Sequence, residues 1–146
     1  VRLAADEPRT YCTAQTSSVG CVVDMSWQGF AREGATSGFT VTASELLAGA
    51  QCQFLYSLAG GSPTLFHGAT MCVQAPRSRT PLSSALHGGS GALCAGSTTC
   101  DFNAVLSSTS GPAAGAHVWV QVWSRDPSAA HGTNLGGGLE FVIGPP

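Results

Sequence analysis

The chain has 146 residues, enough for one domain with a core, and only 10% of them are charged, against roughly 25% in an ordinary soluble domain. It contains no Lys, its cations are all Arg, and its net charge is −2, so nothing in the balance points to a nucleic-acid or anionic-membrane partner. No apolar run reaches the roughly 18 residues that a membrane-spanning helix needs. A surface this poor in charge, with positive mean hydropathy, suits a subunit that buries its exterior against neighbours. A compositional bias toward Ala and Gly would read the same way.

Residues 1–10 are polar and show no period, and are expected to form an N-terminal arm or linker; the domain is expected to span 11–146. Residues 21–27 (CVVDMSW) read as a strand, 29–38 as a loop, and 39–43 as a strand in which Phe39, Val41 and Ala43 alternate with threonines. A loop or one helical turn covers 45–50. Residues 51–58 (QCQFLYSL) alternate again and read as a central strand, ending at the turn Gly60-Gly61-Ser62-Pro63. Residues 70–75 and 100–106 read as further strands, the latter with Phe102 and Ala104 on one face; between them 76–92 is an irregular Pro/Ser/Gly excursion.

The strongest signal lies in 117–123, where Val118, Val120 and Val122 alternate with His117, Trp119, Gln121 and Trp123. A loop opened by Arg125-Asp126-Pro127 leads to a last apolar run, 139–143. Short strands divided by turn clusters, with no helical period, predict an all-β antiparallel sandwich of about seven or eight strands. Its core is expected to include Val22, Phe39, Val41, Phe54, Val118, Val120, Val122 and Phe141.

Six cysteines with no Cys-x-x-Cys spacing favour disulfides and an oxidising compartment over a metal or thioredoxin-like site. The expected localisation is extracellular or cell-surface; no signal peptide opens the chain, so an exported protein would be seen here in mature form or as an excised piece. Cys12 and Cys21, flanking a Thr/Ser/Gly turn, form the easiest local pair.

Several motifs occur in a shared order: Tyr11-Cys12, Gly20-Cys21, Thr70-Met71-Cys72-Val73, Arg79-Thr80-Pro81, Gly88-Gly89-Ser90, Cys94, Asp101-Phe102-Asn103, Trp123-Ser124-Arg125-Asp126-Pro127, and Thr133-Asn134-Leu135 with Leu139-Glu140-Phe141. In that order they resemble a poorly characterised domain of secreted multidomain surface proteins from planctomycetes and myxobacteria. The resemblance covers nearly everything after residue 10 and implies export and a non-catalytic accessory role. The chain departs from the pattern at Gly136-Gly137-Gly138, where the family has Ser-Asp-Ala, and in carrying Cys52 and Cys100 in addition. The expected bridges are Cys12–Cys21, Cys72–Cys94 and Cys52–Cys100, the last by subtraction and because two cysteines additional to the family pattern would have arrived as partners.

No residue set carries convincing catalytic chemistry, and no cofactor is expected. His87-Gly88-Gly89-Ser90-Gly91-Ala92 resembles a nucleophile elbow, but Ala92 stands where that elbow needs Gly and no strand-turn-helix surrounds it. His67, Cys72, His87 and His131 have no metal-ligand spacing. Asp126 and Asn134 share a loop and offer two oxygens to calcium, short of a full shell. Arg125 is placed to fork onto a carboxylate such as Glu140, and Asp126 to close a turn before Pro127. Two function classes follow. One is a structural or assembly module, a subunit of an extracellular appendage, filament or coat, whose partners are copies of itself or other surface proteins. The other is a carbohydrate-binding module that stacks a glycan on a platform of Trp119, Gln121 and Trp123; buried indoles would remove it.

Overall fold

The computed structural model describes residues 7–109 and 111–146, so most of the arm expected at 1–10 lies outside the described residues. In chain order the strands are β1 (Arg9–Tyr11), β2 (Asp24–Gly29), β3 (Phe39–Leu46), β4 (Gln51–Ser57), β5 (Thr64–Phe66), β6 (Ala69–Met71), β7 (Ser78–Arg79), β8 (Ser83–Ser84) and β9 (Gly96–Asp101). A short helix, α1 (Phe102–Ser107), precedes β10 (His117–Arg125) and β11 (Thr133–Val142). The larger sheet runs β1-β11-β10-β4-β7, with β8 also on β4; the smaller runs β2-β3-β9; β5 and β6 form a separate hairpin. All these pairings are antiparallel. The all-β expectation holds. The eleven strands among the described residues outnumber the seven or eight expected because the extra ones, β1, β5, β7 and β8, have two or three residues each, too few to show a period.

The core lies between the two sheets. Phe39 and Val41 of β3 meet Phe54 of β4, the three valines of β10 and Phe141 of β11, all of them buried. Val22 is the exception, 50% exposed, while Val23 and Met25 are buried. The cause is register. Pairing sets Met25 opposite Ala43 and Trp27 opposite Val41. Opposed side chains share a face, so the odd-numbered residues of this strand point inward and Val22 points out.

Of the strand expected at 100–106, only Cys100 and Asp101 are strand, the end of β9; Phe102 onward is helix. The Asp101 carboxylate accepts hydrogen bonds from the backbone N–H groups of Asn103 and Ala104 and so caps α1. Phe102 and Leu106, four apart, then share the buried face of the helix, and Ala104 is exposed. Phe102 sits edge-on to Phe54 at 5.7 Å and to Phe141 at 6.1 Å. Asp101→Ala is expected to lower stability by about 1 kcal/mol, the usual cost of a lost cap; a urea midpoint unchanged from the native chain would rule the cap out.

The hairpin turns at His67-Gly68, both left-handed with φ of 50° and 75°, the geometry two-residue hairpins favour. It lies over the outer face of the larger sheet, where Met71, Ala69 and Val73 bury Leu55 and Leu135 in a second small core, with Phe66 and Trp123 at its margin. That cover explains why Cys52 to Ser57 of β4 are buried on both faces. The strand expected at 70–75 is instead the second arm of this hairpin and ends at Met71.

Candidate functional site

Trp119, Gln121 and Trp123 do share the outer face of β10, but they do not form a platform. Gln121 is fully buried. Its Oε1 accepts the Cys72 N–H at 2.9 Å, and its Nε2 donates to the carbonyls of Thr70 (2.9 Å) and Gly136 (2.7 Å). The amide expected to meet sugar hydroxyls is spent on the protein's own backbone, and Trp119 and Trp123 are separated by the segment it holds. Trp119 donates its indole N–H to Glu140 at 3.0 Å and stacks on His117. Trp123 joins the second core on one side and carries the Arg125 guanidinium, 5.6 Å from its ring centroid. Arg125 therefore does not pair with Glu140, which accepts from Arg9 instead.

Gly136 and Gly138 have a steric cause. Between Gln121 and Trp123 the register slips, so Gly136 and Gly137 of β11 face the single residue Val122. A Cβ at Gly138 would lie 2.5 Å from the Tyr11 ring, and one at Gly136 would lie 2.7 Å from Val122 Cγ1. Gly138, having no Cβ, leaves room for the Tyr11 ring over β11, and Tyr11 donates its hydroxyl to the Cys72 carbonyl. Burial, helped by the charge of Glu140, holds that phenol above its ordinary range.

The disulfides differ from those expected. Cys12 bonds Cys72, and Cys21 bonds Cys94. The turn at Ser17–Gly20, closed by the Ser17 and Gly20 N–H bonds, carries Cys21 inward, away from Cys12 on the outer side of the larger sheet. Cys52 and Cys100 are free thiols. They reach the core from different sheets, β4 and β9. β4 and β9 do not pair with each other, so no strand register sets the two thiols opposite one another. Burial, and secondarily the charge of Asp101, pushes the Cys100 thiol up to about 11.

Asp126 and Asn134 are both buried, and both Asp126 oxygens are taken up by Ser18 and not left to a cation. The Asp126 carboxylate accepts from the N–H (2.7 Å) and the hydroxyl of Ser18, so it ties the loop to the turn before Cys21; it does not close its own turn through that carboxylate. Asn134 donates to the Gln15 carbonyl. His67 and His131, 64 residues apart in sequence and unmatched by any motif, stack at 5.3 Å. Their near-parallel planes, 16° apart, keep their in-plane lone pairs from converging on one ion. Cys72 is consumed by its disulfide. Among the described residues no three His, Cys, Asp or Glu side chains cluster as a metal site would require. The His87-to-Ala92 segment is a loop without strand or helix.

One cavity of about 520 Å³ opens at the α1 end of the sandwich, over Leu106 and Ile143, with Arg32, Glu33 and Asn103 on its wall. Its polar groups hold the loop together. Asn103 donates to the carbonyls of Phe30 and Ser37 and accepts the Arg32 N–H; Glu33 accepts the Ala114 N–H; Arg32 lies over Phe30.

The sheet edges are unequal. β1 is three residues long. The β7–β8 edge is broken at Thr80-Pro81, where the Thr80 hydroxyl takes the Phe54 N–H. β9 is partly covered by the Leu86–Ser97 bridge. By contrast β2 is six residues long, pairs on one side with β3, and has no other strand neighbour among the described residues. It carries one charge, Asp24, and no Pro. Trp27 is 37% exposed, and Val22 and Phe30 at its two ends are half exposed. Short length, Lys, Pro and bulges are what normally blunt such an edge. The sequence contained the relevant signal, a strand without Lys or Pro, but not that this strand would be outermost.

No protein-family model, no curated protein and no solved structure matches the chain.

Proposed function

We propose that this domain is a non-catalytic structural module of an exported bacterial surface protein, and that it associates with copies of itself through the β2 edge. The single observation that carries this reading is that edge: six residues, nearly uncharged, with Trp27 exposed on it and exposed Val22 and Phe30 near its ends. Two disulfides spanning 60 and 73 residues support an oxidising compartment. No helix among the described residues is long and apolar enough to cross a membrane. The motif resemblance points the same way, toward an accessory part of an extracellular appendage, filament or coat.

An apolar edge contact is screened little by salt. Sedimentation of the disulfide-intact chain is expected to show association that rises with concentration and survives added salt. Trp27→Lys places a charge on the edge and is expected to weaken that association about tenfold or more. A native chain that sediments as a monomer at high concentration would end this reading.

A further inference from the structure

The β2 edge is complementary to itself. Asp24, Ser26 and Gln28 lie on its solvent face, and Met25 and Trp27 on its core side. Resting on the self-association proposed above, we infer that the partner on this edge is the β2 strand of a second copy, paired antiparallel about a two-fold axis through Ser26. Opposed residues in an antiparallel pair point to the same face. A pairing that keeps both cores on one side must therefore be centred on a residue, and Met25, Ser26 and Trp27 are the centres that use most of the strand.

Centring on Trp27 sets the Asp24 carboxylate against the partner's Phe30. Centring on Met25 sets Gln28 against the partner's Val22. Centring on Ser26 sets Asp24 against the partner's Gln28, an acceptor against a donor, and Met25 against the partner's Trp27, a thioether against an indole. Symmetry makes each contact twice. An in-register parallel pairing would bring Asp24 beside the partner's Asp24. The Ser26 register covers the exposed indole, leaves no like charges opposed, and joins two three-stranded sheets into one continuous sheet. A two-fold contact of this kind is closed, so further growth into a filament would need a second surface.

Only a residue on the axis faces its own copy, at a Cβ separation of about 5 Å; Asp24 and Gln28 would each stand about 13 Å from theirs. Asp24→Cys, Ser26→Cys and Gln28→Cys are therefore made singly in the full chain and exposed to oxidised glutathione, with the native chain as control for Cys52 and Cys100. Two protein thiols become one intermolecular disulfide, and each oxidised glutathione is reduced to two glutathione thiols. Ser26→Cys is expected to convert mostly to a covalent dimer on non-reducing electrophoresis, and the other two variants and the control to remain uncrosslinked. If the chain self-associates in sedimentation but Ser26→Cys crosslinks no faster than Asp24→Cys or Gln28→Cys, the two-fold β2 pairing is wrong and the assembly reading stands. If the native chain is a monomer at every concentration, both are wrong.

Discussion

Replacing Gln121 by leucine is expected to cost the domain about 3 kcal/mol or more, although the side chain is exchanged for an apolar one of similar size at a fully buried position. The reason is what the leucine leaves behind. The Cys72 N–H and the carbonyls of Thr70 and Gly136 all lose their partner together, and a buried polar group left unpaired costs roughly 1–3 kcal/mol. The three groups belong to the segment that covers the outer face and to the bulge in β11, so the loss falls on the attachment of the hairpin layer to the sheet. Urea unfolding followed by Trp fluorescence measures it. A change below about 0.5 kcal/mol would mean that the amide does not pin this layer.

The second large effect is expected from the Cys21–Cys94 bridge. It closes a loop across 73 residues, for which the chain-entropy model gives about 4 kcal/mol. The double variant Cys21→Ala/Cys94→Ala is expected to lose most of that, and hydrogen exchange is expected to rise first in the excursion before β9, which the bridge holds to the turn preceding β2. Non-reducing peptide mapping checks the pairing directly. Peptides containing Cys12 and Cys72 should travel together, as should those containing Cys21 and Cys94, and Cys52 and Cys100 should be alkylated once the chain is unfolded. A Cys12–Cys21 peptide would overturn the assignment.

The candidate functional surface was the least legible feature. Alternation at 117–123 correctly places Trp119, Gln121 and Trp123 on one face, but it cannot say whether that face meets water. The hairpin 64–71 decides the matter by lying on it. The two-residue turn His67-Gly68 gives no sign in sequence of the surface it will cover. The edge of β2 was hidden for a related reason: which strand is outermost depends on sheet order, and sheet order is not a property of any one strand.

What the sequence by itself determined was whatever depends on neighbours along the chain. The inward face of β3 and the three inward valines of β10 were readable because side chains in a strand alternate whatever the strand pairs with. The all-β class and seven of the eight expected core residues followed from it. Tertiary structure decided what depends on partners distant in the chain. Val22 lost its core place to Val23 because pairing with β3 fixed the face of β2. Residues after Asp101 became a helix because its carboxylate found two backbone N–H groups to cap and the helix could bury Phe102 and Leu106 together. Cysteine pairing followed neither nearness in sequence nor subtraction, since a disulfide forms only where two Cα atoms come within about 4.4–6.8 Å, and those separations are set by the packed sheets and not by the spacing of cysteines along the chain.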